Sequence, residues 1–209
     1  MQELRVMKMY DISMPLHNNI PHWPGEDGFN RKEKGAGEAV VSDIVFGSHT
    51  GTHIDAPKHF KNKGSVDEID LQSLMGECYV VEVGHEGHIS SDDIDKLPNG
   101  IERVIFKTSN TKRGLLDDPE FHKDFVSLDE SAAAAIVARK IKLVGLDYLS
   151  VEQKGAKNHP VHNTLLKAGV VSLEGCVLYD IAPGKYEIIA LPLRIQDGDG
   201  SPARVILKK

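Results

Sequence analysis

From Phe46 to Phe60 the chain reads Phe-Gly-Ser-His-Thr-Gly-Thr-His-Ile-Asp-Ala-Pro-Lys-His-Phe, which packs His49, His53, Asp55 and His59 into one short stretch. Few backbones let these groups meet. On a helix His49 and His53 stack one turn apart, but Asp55 then lies roughly 160° round the axis from His53. On a regular strand all four point the same way, yet His49 and His53 sit ~13 Å apart, too far to share a centre comfortably. The solution is a bend at Thr50-Gly51-Thr52, where glycine permits unusual φ, followed by an extended His53-Ile54-Asp55 that presents both polar side chains on one face. Pro57 then fixes the backbone and aims His59 at the same point. A chain obliged to hold this loop needs a rigid sheet to hang it from.

Imidazoles and a carboxylate at this spacing, with small residues between and no other charge before Lys58, suit nitrogen and oxygen ligation of a divalent metal. The stretch His-Thr-Gly-Thr-His-Ile-Asp-Ala-Pro-Lys-His-Phe resembles the signature of the cyclase-like metal-dependent hydrolases, a group that includes bacterial kynurenine formamidases and isatin hydrolases.

With 209 residues, 40% hydrophobic and 27% charged, the chain is long enough to bury one sizeable core, and it reads as a single domain over residues 1–209. A net charge of −6 without a basic block argues against nucleic acid or an anionic membrane as partner and favours a small molecule. No apolar run of ~18 residues and no leader-like start is seen, so the expectation is a cytoplasmic protein. Its two cysteines, Cys78 and Cys176, lie far apart and read as reduced, semi-buried thiols.

Along the chain, Val6 to Ser13 reads as a first strand, followed by a proline-rich loop in which Trp23 stands between Pro21 and Pro24. By residue type alone Trp23 suits a structural plug as well as a ligand contact. Glu38 to Ser48 reads as a strand delivering the chain to His49. Further strands are expected at Cys78–Val83, Arg103–Lys107 and Lys142–Leu146. Helices are expected from the Ser90 cap to Leu97 and over Ala132–Lys140, the latter behind a capping box at Ser127–Glu130. Asn110 to Asp124 is polar and fits no element. Strands alternating with helices imply an α/β fold with a mixed β-sheet or barrel-like core flanked by helices.

A second cluster follows. Asn158 suits the cap of a helix to Ala168, in which His162 shares a face with Leu165 and Leu166. That pattern fits a packed core histidine as well as a ligand. Glu174 interrupts the buried-strand pattern Val170–Gly175, and a buried carboxylate needs a partner or a metal. Here the resemblance adds an assignment: members show a histidine followed by paired leucines and then a strand ending in Glu-Gly, and His162 and Glu174 match. It further implies a swivelling β/β/α fold and closing strands in the tail from Tyr186 to Leu207. It implies a pocket-mouth segment like Ile-Pro-His-Trp-Pro-Gly, where many members continue with Asp and this chain with Glu26. Association into homo-oligomers, dimers or tetramers, is also implied.

The expected site is therefore one or two Zn²⁺ ions, with Mn²⁺ as the alternative, held by His49, His53 and Asp55 and by Asp55, His162 and Glu174. Trp23 would contact substrate and His59 would carry protons. The expected reaction is amide hydrolysis, with N-formylkynurenine as substrate of an arylformamidase and ring opening of a cyclic amide as the near alternative. A non-catalytic metal-binding or regulatory protein is the reading from another class. A serine hydrolase is disfavoured by the lack of a Gly-x-Ser-x-Gly elbow.

Overall fold

The structure, a computed structural model, describes residues 7–209. In chain order it contains β1 (Met9–Asp11), β2 (Asn30–Ala36), β3 (Ala39–Val45), β4 (His53–Asp55), α1 (Leu71–Leu74), β5 (Met75–Glu82), β6 (His88–Ile89), α2 (Ser91–Asp95), β7 (Arg103–Lys107) and α3 (Ser109–Lys112). These are followed by β8 (Ser127–Leu128), α4 (Glu130–Ala138), β9 (Leu143–Leu146), α5 (Pro160–Lys167), β10 (Val171–Glu174), β11 (Gly184–Pro192) and β12 (Gly200–Lys208).

One mixed sheet runs β1-β12-β11-β5-β7-β9-β10-β4, and β4 also pairs with β12. That extra pairing closes the sheet into a barrel, with β1 lying beside the far end of β12. The β5, β7, β9 and β10 neighbours are parallel, and the remaining pairs are antiparallel. Side-chain alternation along the strands separates two cores. Ile54, Ile105, Leu143, Leu173, Ile188 and Leu207 fill the barrel interior. Val104, Phe106, Val144 and Leu146 face outward and pack under α2, α4 and α5 through Ile94, Ile136 and Leu165. A third core lies beneath the N-terminal loop, where Met14, Ile20 and Phe29 meet Leu115, Phe125 and Tyr148.

Several expectations need correction. Of the proposed first strand Met9–Asp11 is regular, with Lys8 and Ile12 adding backbone bonds to Lys209 and Val205, and Val6 lies outside the described residues. The strand before His49 ends at Val45 and belongs to a separate β2–β3 hairpin, not the barrel. Its partner, the charge-rich β2 stretch, carried no strand pattern. Ser127 does not cap α4, because Ser127 and Leu128 pair with β6; Asp129 caps it instead, accepting from the Ala132 amide at 2.8 Å. Asn158 does not cap α5 either. It and His159 both take left-handed φ, +64° and +46°, and His159 is the flanking residue.

The unassigned segment Asn110–Asp124 has a clear role. Asn110 and Thr111, with Thr108, surround the buried carboxylate of Asp147, which accepts from the Thr108 and Thr111 amides, both threonine hydroxyls and the Asn110 side chain at 2.6–3.3 Å. Phe121 then reaches Trp23, edge to face at 4.9 Å between ring centres.

Candidate metal centre

The bend expected at Gly51 is present, with φ +67°. A Cβ there would lie 2.7 Å from Leu16 Cδ2, and one on Gly175 would lie 2.8 Å from the Gly51 carbonyl, so the two glycines allow the loop to nest against the end of β10. Beyond the bend, β4 is extended. Ile54 enters the barrel while His53 and Asp55 stay on the outer face, and antiparallel register sets Glu174 opposite His53 and Ser172 opposite Asp55. Helix α5 crosses above with Val161, His162, Leu165 and Leu166 buried beneath it.

Every candidate ligand from the sequence therefore converges on one place. His49 Nδ1 lies 2.7 Å from Asp55 Oδ1, and His53 Nε2 lies 3.4 Å from Asp55 Oδ1 and 3.3 Å from Glu174 Oε2. His162 Nε2 lies 3.2 Å from Glu174 Oε1 and 3.6 Å from Asp55 Oδ2. The His59 and His49 rings are 3.9 Å apart. Asp55 belongs to two sets of mutually close donors, His49–Asp55–His59 and His53–Asp55–Glu174, so the carboxylate expected to be shared is central to both. The groupings differ from the expected pairs: His59 stands with His49 and Asp55, His53 joins Asp55 and Glu174, and His162 falls with Glu152 and His159.

A backbone carbonyl sets the orientation of the His53 ring. A carbonyl can only accept, so His53 Nδ1, 2.8 Å from the Gly51 carbonyl, carries the proton there and turns Nε2 to the carboxylates. Glu174 is held by the Val151 amide at 2.9 Å and the Ser172 hydroxyl at 3.2 Å.

The electrostatics are strongly coupled. Burial opposes a charge on His53, but hydrogen bonds and charge from Asp55 and Glu174 overcome it and hold the imidazole well above its ordinary range. The same contest at His162, won by Glu152 and Glu174, lifts it to about 10. Burial would raise Asp55, yet His49 and His53 keep it well below the usual carboxylate range. His59 goes the other way, because burial lowers it. Two buried carboxylates thus demand positive charge and four imidazoles surround them, a donor set without sulfur that fits a divalent cation.

Above the centre opens a pocket of about 260 Å³ lined by Trp23, Glu26, Phe60, Leu149 and Gln153 together with the centre's own histidines. Burial holds the Glu26 carboxyl above its usual range. Two contributors escaped the sequence reading. Asp199, from the turn before β12, lies 3.0 Å from His49 Nε2 and 3.8 Å from His59 Nδ1, and Glu152 sits behind His162. Both come from loops, where no periodicity marks a residue as facing the site.

Residues 10–153 match the model of the Cyclase family. The chain belongs to the Cyclase family. Among relatives of this cyclase-family chain, the kynurenine formamidase of Bacillus thuringiensis subsp. konkukian (strain 97-27) is 35% identical over 98% of the chain and 99% of the relative. A solved structure described as a predicted metal-dependent hydrolase from Bacillus stearothermophilus is 35% identical, covers 97% of this chain and 98% of its own, and superposes with a TM-score of 0.84. Isatin hydrolase A from Labrenzia aggregata, bound to benzyl benzoate, is 25% identical with a TM-score of 0.81, covering 97% and 93% of the two chains.

Proposed function

We propose that this cyclase-family chain is a metal-dependent arylformamidase that hydrolyses N-formylkynurenine to kynurenine and formate. The observation that carries the reading is the convergence of His49, His53, Asp55, His59, His162 and Glu174 at the floor of a pocket walled by Trp23 and Phe60. Near full-length similarity to kynurenine formamidase supports the substrate.

Asp55 would be the ligand common to two ions, with His49 and His53 completing one set and His162 and Glu174 the other. The donors suit Zn²⁺, with Mn²⁺ as the alternative. When bound, such an ion supplies Lewis acidity, polarising a carbonyl and lowering the pKa of water. The chain's own side chains do the rest. Trp23, braced by Phe121, gives the aryl ring a flat apolar wall. His59, partly exposed at the pocket floor, takes a proton from the attacking water and returns it to the aniline nitrogen as the carbon–nitrogen bond breaks. Formate and the free amine leave.

The test is formate release from N-formylkynurenine by Zn²⁺- and Mn²⁺-loaded protein, with an expected kcat/KM of ~10⁴–10⁸ M⁻¹s⁻¹. Likeness to isatin hydrolase A supports a second reading, ring opening of a cyclic amide. No formate above the metal-free control, with isatin opened at that rate, would move the assignment to that reading.

Two further parts of the reading concern surroundings. The buried free thiols Cys78 and Cys176 suit a reducing, cytoplasmic compartment, and among the described residues no helix is long and apolar enough to cross a membrane. The β3 side chains Val40, Val41, Ile44 and Val45 are 50–69% exposed on a projecting hairpin, a surface that a second copy of the chain would cover. Light scattering after size exclusion should give a dimer or tetramer, and Val41→Lys with Val45→Lys should shift it toward monomer.

A further inference from the structure

We propose that Glu152 is a positioning residue for the metal centre, holding His162 in the orientation its role as a ligand requires. The inference rests on the metal-dependent reading above and extends it to the carboxylate on the Nδ1 side of His162.

Glu152 is buried, and both of its carboxylate oxygens are committed. Oε1 accepts from the Val161 amide at 2.7 Å, in the first turn of α5. Oε2 lies 2.8 Å from His162 Nδ1 and 3.1 Å from His159 Nδ1. A carboxylate facing Nδ1 fixes the proton there, so the opposite nitrogen, Nε2, is the one presented to Asp55 and Glu174. One side chain therefore sets the start of the helix, the tautomer of the histidine and the rotation of its ring.

The neighbouring residue completes the arrangement. The Val151 amide holds Glu174 at 2.9 Å, so two consecutive residues fix the helix-borne histidine and the strand-borne glutamate that must converge. Phe60 closes the other side of the ring, stacked on His162 at 4.7 Å with 22° between planes. Backbone conformation also follows this design, since Asn158 and His159 adopt left-handed φ just before the helix, and His159 turns its ring onto Glu152.

Glu152, His159 and His162 are close enough to be taken for a metal site of their own. The hydrogen bonds argue against it. Oε1 accepts from the Val161 amide, a first-turn N–H with no partner inside the helix, and Oε2 already serves two imidazoles.

The experiment is a Zn²⁺ affinity measurement on the full chain by competition with a fluorescent chelator, with Tm recorded in parallel. Glu152→Gln keeps size and an acceptor for Val161 but turns an amide donor toward a ring that also donates; Zn²⁺ should bind roughly 10–100-fold more weakly. Glu152→Asp, which keeps the charge, should recover part of the loss. Asp129→Ala removes the cap of the neighbouring helix α4, so it should lower Tm while leaving Zn²⁺ affinity within about twofold of wild type. Wild-type affinity in Glu152→Gln would overturn the inference. If that variant does not fold, Glu152→Ala, which removes the carboxylate and leaves room for water, takes its place, and wild-type affinity there would overturn the inference equally. An equal loss in Asp129→Ala would also do so, by reducing the effect to general destabilisation. Failure of the wild-type chain itself to bind Zn²⁺ would instead overturn the metal-dependent reading, and this inference with it.

Discussion

Replacing Asp55 by Asn tests the centre most severely. Asp55 is 1% exposed and meets His49, His53 and His162 at 2.7, 3.4 and 3.6 Å, so its charge serves every imidazole that the sequence put forward as a ligand. Asparagine keeps the shape and removes the charge. Taking one partner from a buried ionic cluster costs about 3–5 kcal/mol. At about 1.4 kcal/mol per factor of ten, that is a loss of roughly 140- to 3,700-fold in affinity for a cation held there. Because Asp55 is common to both donor sets, the loss should fall on both ions. Glu174→Gln provides the contrast: it belongs to one set only, so it should release one ion and leave the other measurable. Metal per chain by elemental analysis after equilibration at fixed free Zn²⁺, with formate release on the same samples, reads out both. An Asp55→Asn chain that keeps two ions at wild-type affinity would refute the shared-ligand reasoning, whatever its turnover.

Further predictions follow from other parts of the molecule. His59→Ala should retain its metal and lose ~10²–10⁴ in turnover; metal lost in step with activity would make it a ligand, as its place beside His49 and Asp55 allows. Trp23→Ala should raise KM by roughly tenfold with a smaller change in kcat, since it removes a wall and no reacting group. Burial pushes the Cys78 thiol up to about 12, which leaves ~10⁻⁴ of it as thiolate at pH 8, so a disulfide reagent should label Cys78 only after denaturant is added. Asp147→Ala should lose ~3–5 kcal/mol in urea unfolding, because five donors around it would be left without an acceptor in a buried site.

Much of the centre was legible because His53, Asp55, His162 and Glu174 lie on regular elements. Strand periodicity alone puts His53 and Asp55 on one face, and only a bend at glycine brings His49 to them, so local sequence sufficed. His162 and Glu174 were ambiguous singly. Each was an ionisable group on an apolar face, and only barrel closure, which lays α5 over β10 and β4, shows that they answer each other. Glu152 and Asp199 were not legible, since a loop carboxylate looks the same in sequence whether it meets solvent or an imidazole. Asn110–Asp124 defeated pattern reading for a related reason: its polar residues are buried on Asp147, a partner with no periodic signature. The β2–β3 hairpin was half seen. Aliphatic β3 announced a strand, while β2, with Arg31, Lys32, Glu33 and Lys34, has the composition of a solvated loop.

Strand β4 lies between β10 and β12, and this has a consequence for how the protein is made. His49 leaves the ribosome long before Asp199, its partner 150 residues further on. At ordinary elongation rates that interval is roughly 8–30 s. Until Val171–Glu174 is made the loop that carries three histidines has neither of the strands that flank it in the finished barrel, and the second edge of His53–Asp55 stays open until β12 follows. The nascent histidines can meet metal in solution, but not in the geometry of the finished centre. A metal held by this site would therefore find its native geometry only after synthesis, and a chain that stops before Gly200 should carry these side chains without the assembled site.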